Sequence, residues 1–358
     1  MKAVVLVGGS GTRLRPLTLS APKQMLPIAE VPMIERVLTT LAGQGVTTAV
    51  LALGYRFENF LAALPPAKAL GLAVVPAVEP EPLGTGGAVR FAADAAGVDE
   101  RFLVVNGDVL TDLDVRALAD FHSEQGAEGT LALSPVEDPS AFGLVATDDG
   151  GRVTAFVEKP QGSQPGLISV GTYVVEPSIL DRIPAGRAVS IEREVFPAMV
   201  RTGTLFGLAS PAYWSDTGTP ERYLQAQLDL VSGLRGGPPA PGAVDRGDGV
   251  WTVGSAVVDG QVTPPALVGT AAYIQAGASV QASVVGAGAR VHEGARVRES
   301  VLLPGAVVRG HAVVESSLIG EQAVIGERAE VTGVAVVGPG ITVEPGARLV
   351  GVRVPAGA

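Results

Sequence analysis

Aliphatic residues recur every six positions near the C-terminal end of this chain: Val301, Val307, Val313, Ile319, Ile325, Val331, Val337, Val343 and Leu349. Ala323, Ala329, Ala335 and Ala347 stand two residues before members of the set, and Val285, Val291 and Val297 form an earlier set offset by one irregular turn. A helix repeats every 3.6 residues and a flat strand every two, so neither explains a period of six. A coil of short strands does. Each strand turns one aliphatic residue inward, three strands close a coil, and stacked coils share a core. The array predicts a parallel β-helix of roughly four coils.

Upstream the texture differs. Gly233 to Gly242 is punctuated by Pro and Gly without periodicity and reads as a linker. Before it, helical and strand patterns alternate. Ile34, Val37, Leu38 and Leu41 have helical spacing, ended by Gly43 and Gly45, and a second helix is expected from Phe57 to Leu64. Asp112 or Asp114 caps a helix running to Phe121, another spans Glu192 to Val200, and Pro220 opens one over Glu221–Leu230. Val50–Leu53, Val74–Val78, Phe102–Val105 and Val153–Val157 read as strands. Such alternation predicts a parallel sheet with helices on both faces. A chain of 358 residues allows two domains, and a net charge of -10 argues against nucleic acid or an anionic membrane as partner. There is no cysteine, hence no disulfide framework or thiolate metal site. No stretch reads as a signal peptide or a membrane span, so a cytoplasmic protein is expected.

Ala3 to Val7 is an apolar run fit for a strand buried on both faces. Gly8-Gly9-Ser10-Gly11-Thr12-Arg13 follows at its carboxyl end, where ligands bind in open α/β sheets. Glycines let bare N–H groups approach a phosphate, and Arg13 and Lys23 add two positive charges. The stretch therefore reads as a nucleotide triphosphate site. It is not a P-loop, because Gly11 is followed by Thr12-Arg13, nor a dinucleotide fingerprint, because Leu14 stands where the third Gly belongs. Lys2, Lys23, Lys68 and Lys159 are the only lysines. Where lysine is so scarce, those retained at Lys23 and Lys159 point to a need for a compact ammonium.

Three further constellations carry two readings each. Asn106-Gly107-Asp108 ends a strand, as a hairpin turn or as a carboxylate aimed into the crevice to hold Mg²⁺. Glu158-Lys159-Pro160 is a surface charge pair or a substrate contact. Glu79 and Glu81 are solvated carboxylates or, at Glu79, an acceptor for the paired donors of guanine.

G-G-x-G-T-R-L-x-P-L-T with the following P-K resembles the sugar-1-phosphate nucleotidyltransferases (nucleotide-sugar pyrophosphorylases). The resemblance runs from Met1 to about Ser232 and continues as the left-handed hexapeptide helix appended to many of them. It implies an α/β, Rossmann-like, mostly parallel sheet with helices on both faces, followed by a C-terminal left-handed parallel β-helix. The corresponding division is a catalytic domain over 1–232, a linker over 233–250 and the repeats over 251–358. The resemblance implies nucleotide contacts from Leu6, Gly8, Gly9, Gly11, Thr12, Arg13 and Lys23. It adds Pro82, Gly84 and Thr85 of Pro82-Leu83-Gly84-Thr85-Gly86-Gly87, with Glu79 placed to read guanine. For the sugar phosphate it implies Gly143 after Phe142, Glu158 and Lys159, and Ser169 with Gly171. Tyr213-Trp214-Ser215-Asp216-Thr217-Gly218-Thr219-Pro220 matches the W-x-D-x-G-T-P pattern, which makes Asp216 the second Mg²⁺ ligand beside Asp108. No contact is assigned to Trp214. Arg13, Lys23, Asp108 and Asp216 form the implied catalytic set.

The implied reaction joins GTP and a sugar 1-phosphate and releases pyrophosphate, as in bacterial mannose-1-phosphate guanylyltransferases, with a homo-oligomer formed through the β-helix. Ser169-Val170-Gly171 departs from the family's N-A-G. This keeps open a sugar-like cyclitol, valienol 1-phosphate of aminocyclitol antibiotic biosynthesis, in place of mannose 1-phosphate. A catalytically silent, nucleotide-sugar-sensing subunit is a further alternative. His292 and His311 in the repeats also admit an acyltransferase reading.

Overall fold

Ala3, Val4 and Val5 are fully enclosed in β1 (Lys2–Leu6), as a strand buried on both faces requires. The structure, a computed structural model, describes all residues except 10, 55–59, 62, 63, 66, 163, 248, 357 and 358. After β1 come the hairpin β2 (Pro27–Ile28) and β3 (Val31–Pro32), α1 (Met33–Gly43), β4 (Thr48–Leu53) and β5 (Ala73–Val78). Then follow α2 (Gly84–Ala95), β6 (Phe102–Asn106), β7 (Val109–Thr111), α3 (Val115–Gln125), β8 (Gly129–Val136), β9 (Gly143–Thr147), β10 (Val153–Glu158) and β11 (Gly166–Val175). The last before the linker are α4 (Phe196–Thr202), β12 (Leu205–Ala209), β13 (Trp214–Asp216) and α5 (Pro220–Val231). Most of the helix expected over Phe57–Leu64 lies outside the described residues; Phe60 and Leu61 are helical. The chain packs as two compact units, Met1–Gly9 with Ile34–Trp214, and Ser10–Met33 with Ser215–Ala358.

In the first unit one sheet runs β10-β9-β11-β6-β1-β4-β5, with β8 beside β11 and β12 beside β8. β6, β1, β4 and β5 are parallel, with Leu6 level with Ala52 and Asn106. β11 runs antiparallel to β6, β8 and β9, and β9 to β10. The parallel pattern expected from alternation therefore holds from β1 to β6. Beyond it the links between β8, β9 and β10 are too short for crossovers, so the strands fold back. Asp114 caps α3 by accepting from the N–H groups of Arg116 and Ala117, and the helix continues past Phe121 to Gln125. The helix expected from Glu192 begins as one π-helical turn, Ile191–Val195, capped by Ser190, before α4.

In the second unit three sheets, parallel apart from the edge strand Ala243–Asp245 of one, stack into a β-helix, consistent with the left-handed hexapeptide form. Val284 lies level with Val301 and Val301 with Leu318, steps of seventeen residues; Leu318 to Val336 is a step of eighteen. From Val284 to Leu318 the coil is thus two faces of six residues and one of five; the coil from Leu318 to Val336 has three faces of six, and the step from Val336 to Arg353 is again seventeen. This corrects the strict hexad. The interior carries Leu302, Val308 and Val314, whereas Val301 faces outward and Val307 and Val313 are half-buried. From Ile319 through Val343 the expected positions are interior. Doubled aliphatics such as Val307-Val308 hid the five-residue step. The stack also exceeds four coils: among the described residues two sheets have six strands each and the third has eight. Its first coils lack the regular valine hexads.

Two features hold the coils. Ser283, Ser300 and Ser317 are fully buried, one per coil at the same corner. Each hydroxyl donates to the carbonyl two residues earlier, and the N–H groups of Ser300 and Ser317 donate to Ser283 Oγ and Ser300 Oγ at 3.1 and 3.0 Å. On one face the outward residues Leu267, Val284, Val301, Leu318 and Val336 are also buried. α5 lies on that face, over Ala266–Val268 and Val284–Val285. A face covered on both sides demands paired aliphatics.

Candidate functional site

In the first unit the strand order reverses between β1 and β6, the switch point of an open α/β sheet. Gly8 and Gly9, the latter at φ 102°, leave β1 after Leu6, and Asn106-Gly107-Asp108 leaves β6 beside them. Gly107 donates its N–H to Leu6 O at 2.9 Å, and a Cβ there would lie 3.0 Å from that oxygen. Only glycine lets the two strand ends close so tightly, and this sets Asp108 at the crevice, half-buried. Gly171, at φ 74°, lies against the Asn106 side chain, with no room for a Cβ. β11 loses register between Ser169 and Tyr173. The Ser169–Gly171 stretch is therefore a bulge that bends towards the end of β6.

Glu79 follows β5. Its N–H donates to Leu53 O at 2.8 Å, and its Oε2 accepts the Leu83 N–H at 3.0 Å, so the carboxylate spans the turn that carries Pro82. Burial pushes its pKa up, with the Leu83 N–H partly opposing. Gly84-Thr85-Gly86-Gly87 opens α2 against the backbone of Val189: Gly86 N–H donates to Val189 O at 2.8 Å, and a Cβ on Gly84 would lie 2.6 Å from the same oxygen. Thr85 Oγ1 donates to Glu192 Oε2 at 2.6 Å and accepts from Ile191 N–H. The π-helical turn thus buttresses the Gly84–Gly87 turn.

Gly143 and Glu158 face each other across β9 and β10, and a Cβ on Gly143 would meet the Phe156 ring at 2.6 Å. Lys159 takes φ 52° with its N–H donated to Phe142 O at 2.8 Å. This twist leaves the Lys159 side chain 60% exposed, with Nζ 4.0 Å from Glu158 Oε1. Burial and then the Glu192 carboxylate hold the Glu158 pKa up, against Lys159 and Arg193. Trp214, to which no role was assigned, stands edge-on to Phe142 at 5.2 Å and donates Nε1–H to Val170 O at 3.0 Å. It pins the bulge. Glu192 and Trp214 are the side chains that motif spacing missed. Trp214 lay in a matched pattern, but Glu192 had no signal in its own neighbourhood.

In the second unit Gly11, at φ 60°, packs on Thr18 and on the Lys23 stem, and Thr18 Oγ1 donates to Gly11 O at 2.9 Å. Thr12 and Arg13 begin a 3-10 turn. The Arg13 guanidinium lies over Gly218, where a Cβ would fall 2.6 Å from Arg13 Nη2 and 2.8 Å from Asp216 Oδ1. Asp216 accepts from Gly218 N–H and from Arg222 Nη1, both at 2.8 Å. Thr219 then caps α5. Arg13, Lys23 and Asp216 are carried together on this unit, and Glu79, Asp108, Glu158 and Lys159 on the other. Among the described residues no three or more His, Cys, Asp or Glu side chains gather as a metal site, and no helix is long and apolar enough to cross a membrane.

A glycine-lined switch point, a buttressed Gly-Thr-Gly-Gly loop and an Arg-Lys segment define a nucleotide-handling α/β enzyme carrying a β-helix. The Nucleotidyl transferase family model matches residues 2–233 and the GMPPB C-terminal domain model residues 262–356, and the chain belongs to the nucleotidyl transferase family. It is 44% identical over 278 residues to a mannose-1-phosphate guanylyltransferase of Mycobacterium tuberculosis, covering 77% of each chain. It is 43% identical over 239 residues to a mannose-1-phosphate guanyltransferase of Schizosaccharomyces pombe, covering 66% of each. Among solved structures, HddC from Yersinia pseudotuberculosis complexed with GMP-PN is 30% identical with a TM-score of 0.56, covering 63% of this chain and 97% of that one.

Proposed function

We propose that this protein is a sugar-1-phosphate guanylyltransferase that joins GTP and mannose 1-phosphate to give a GDP-sugar and pyrophosphate. The observation that carries the reading is the 44% identity to the M. tuberculosis enzyme along most of both chains. The Glu79 carboxylate, oriented by Leu83 N–H at the lip of the base loop, suits the paired N1–H and N2–H donors of guanine. In the transfer an oxygen of the sugar 1-phosphate attacks the α-phosphorus, and the bond to the leaving pyrophosphate breaks. Positioning and charge neutralisation carry such chemistry. Arg13 takes the pyrophosphate, Lys23 the phosphates near the reacting centre, and Lys159, turned outward by its left-handed backbone, the incoming phosphate. Gly143 lets the Phe156 ring close against β9, and its backbone, level with Glu158, is offered to the sugar.

The carboxylates of Asp108 and Asp216 are hard oxygen donors of the kind Mg²⁺ takes, and Asp216 is already oriented by Gly218 and Arg222. Mg²⁺ bound by them would neutralise phosphate charge. The cyclitol alternative now rests on Ser169 alone, because the Val170 side chain is 4% exposed and turned into the protein.

Pyrophosphate release measured across nucleotides and sugar phosphates tests the reading. GTP with mannose 1-phosphate is expected to give the highest kcat/KM, and Glu79→Gln to reduce the preference for GTP, since an amide meets paired donors with one donor of its own. A native preference for dTTP, UTP or ATP would overturn the guanine assignment. A clear preference for valienol 1-phosphate would replace mannose as the substrate.

A further inference from the structure

The hairpin that follows Lys23 ends in a carboxylate set on the β-helix. Ala29 and Glu30 form its tip at φ 44° and 70°. Glu30 Oε1 accepts the Thr270 N–H at 2.8 Å, and Oε2 accepts the Thr270 hydroxyl at 3.1 Å. Gly269 makes room, since a Cβ there would run into Glu30 Oε1. The hairpin's root is held as well. Gln227 of α5, 1% exposed, donates to Pro27 O and accepts from Ala29 N–H, each at 2.7 Å, and Tyr223 OH also donates to Pro27 O. Met33 N–H donates to Leu26 O at 3.2 Å, and Leu26 N–H to Lys23 O at 3.1 Å. At the other end of the segment Pro16 lies on Gly338, where a Cβ would sit 3.0 Å from Pro16 Cβ. The stretch bearing Arg13 and Lys23 is thus fastened to two coils of the β-helix, and its hairpin to the helix that follows Asp216.

We infer that Glu30 is a positioning residue for nucleotidyl transfer: clasped by Thr270, it makes the β-helix the mount that holds Lys23 in place. The inference rests on the function proposed above. A hairpin of two-residue strands has little stability of its own, so its pose comes from what it is tied to. The clasp is bidentate and charge-assisted, which gives direction as well as strength. Its receiver is a stacked solenoid, in which each coil is held by its neighbours. A catalytic cation displaced by an ångström loses much of its effect.

The test uses the full-length protein, with pyrophosphate release from GTP and mannose 1-phosphate measured well below each variant's Tm. Glu30→Gln weakens the clasp at the hairpin, and Thr270→Val removes the hydroxyl at similar volume. Thr270→Ser keeps both donors. Glu30→Gln and Thr270→Val are expected to lower kcat about 10- to 100-fold, with the KM for mannose 1-phosphate within about twofold of wild type. Thr270→Ser is expected to match wild type within about twofold, and the double variant Glu30→Gln/Thr270→Val to be no worse than the weaker single one, as for two ends of one interaction. If the variants keep wild-type kcat and lose only Tm, the clasp is structural and the inference is overturned. Should Glu30→Gln fail to fold, the contrast between Thr270→Val and Thr270→Ser decides. A wild type without turnover overturns the function itself and this inference with it; an active wild type with equally active variants overturns the inference alone.

Discussion

Asp216 is held by two hydrogen bonds before any ligand arrives, one from Gly218 N–H and one from Arg222. Asparagine at this position can keep the acceptor for Gly218 but loses the charge. Asp108 is placed by a different device, the glycine that lets β1 and β6 meet. Asp216→Asn and Asp108→Asn are each expected to lower kcat by about 10²- to 10³-fold, the usual loss on deleting one electrostatic stabiliser. Steady-state kinetics with unchanged circular dichroism checks this, and near-wild-type turnover in either variant would remove that carboxylate from the catalytic set. Both aspartates were legible as candidates, Asp108 because it follows an apolar strand and a Gly, Asp216 because it stands in a pattern that the family resemblance picks out. Glu192 was not, because its partners Thr85 and Ser190 come from two separate segments. Thr85 is 107 residues distant in sequence, and only folding brings it near.

At the scale of elements the serine ladder shows what a six-residue period conceals. Ser283, Ser300 and Ser317 recur at the coil length of seventeen; each buried hydroxyl donates, and those of Ser283 and Ser300 also accept from the next coil. Ala335 follows in the next coil, where the step lengthens to eighteen. Ser300→Ala would strand the Ser317 N–H inside the solenoid. It is expected to destabilise the second unit by about 1–3 kcal/mol, the cost of a buried donor left unmade. Thermal unfolding of the variant measures this; an unchanged midpoint would mean the ladder adds nothing. The outward aliphatic column Leu267, Val284, Val301, Leu318 and Val336 was equally readable as paired letters. Its meaning, a face buried on both sides and covered at Leu267 and Val284 by α5, depends on which element lands there.

For the stability of the whole molecule, a buried network around His122 sets a pH dependence. His122 is fully enclosed, with Nδ1 2.9 Å from Thr130 Oγ1 and Nε2 3.2 Å from Glu176 Oε1, and Arg101 also binds Glu176. Burial, aided by Arg101 and opposed by Glu176, holds the His122 pKa below its ordinary value of 6.5. The unfolded chain then takes up a proton near that value while the folded protein does not. Stability is therefore full above it and falls as pH drops from there towards the lower folded pKa, by at most about 1.4 kcal/mol per pH unit. Urea midpoints at neutral and mildly acidic pH check the slope, which His122→Gln is expected to flatten. An equal slope in that variant would assign the dependence elsewhere.

The sequence by itself determined what is local or periodic. It set the buried strand before Gly8, the glycine-rich turn at Gly84–Gly87, a helix cap at Asp112 or Asp114 and the existence of a β-helix. Each depends on residues within a turn or a coil of one another, where φ preference, burial and spacing act directly. Tertiary structure decided the rest. It turned β11 antiparallel to β6, β8 and β9, and β10 antiparallel to β9, where connections are too short to cross over, while β12 returned parallel to β8. It placed the five-residue step inside the seventeen-residue coils, which doubled valines leave ambiguous. It also joined the Arg13–Lys23 segment to the β-helix through Glu30 and Thr270, two residues unremarkable in their own neighbourhoods. Their partnership is a matter of distance in space, and a linear pattern records only distance along the chain.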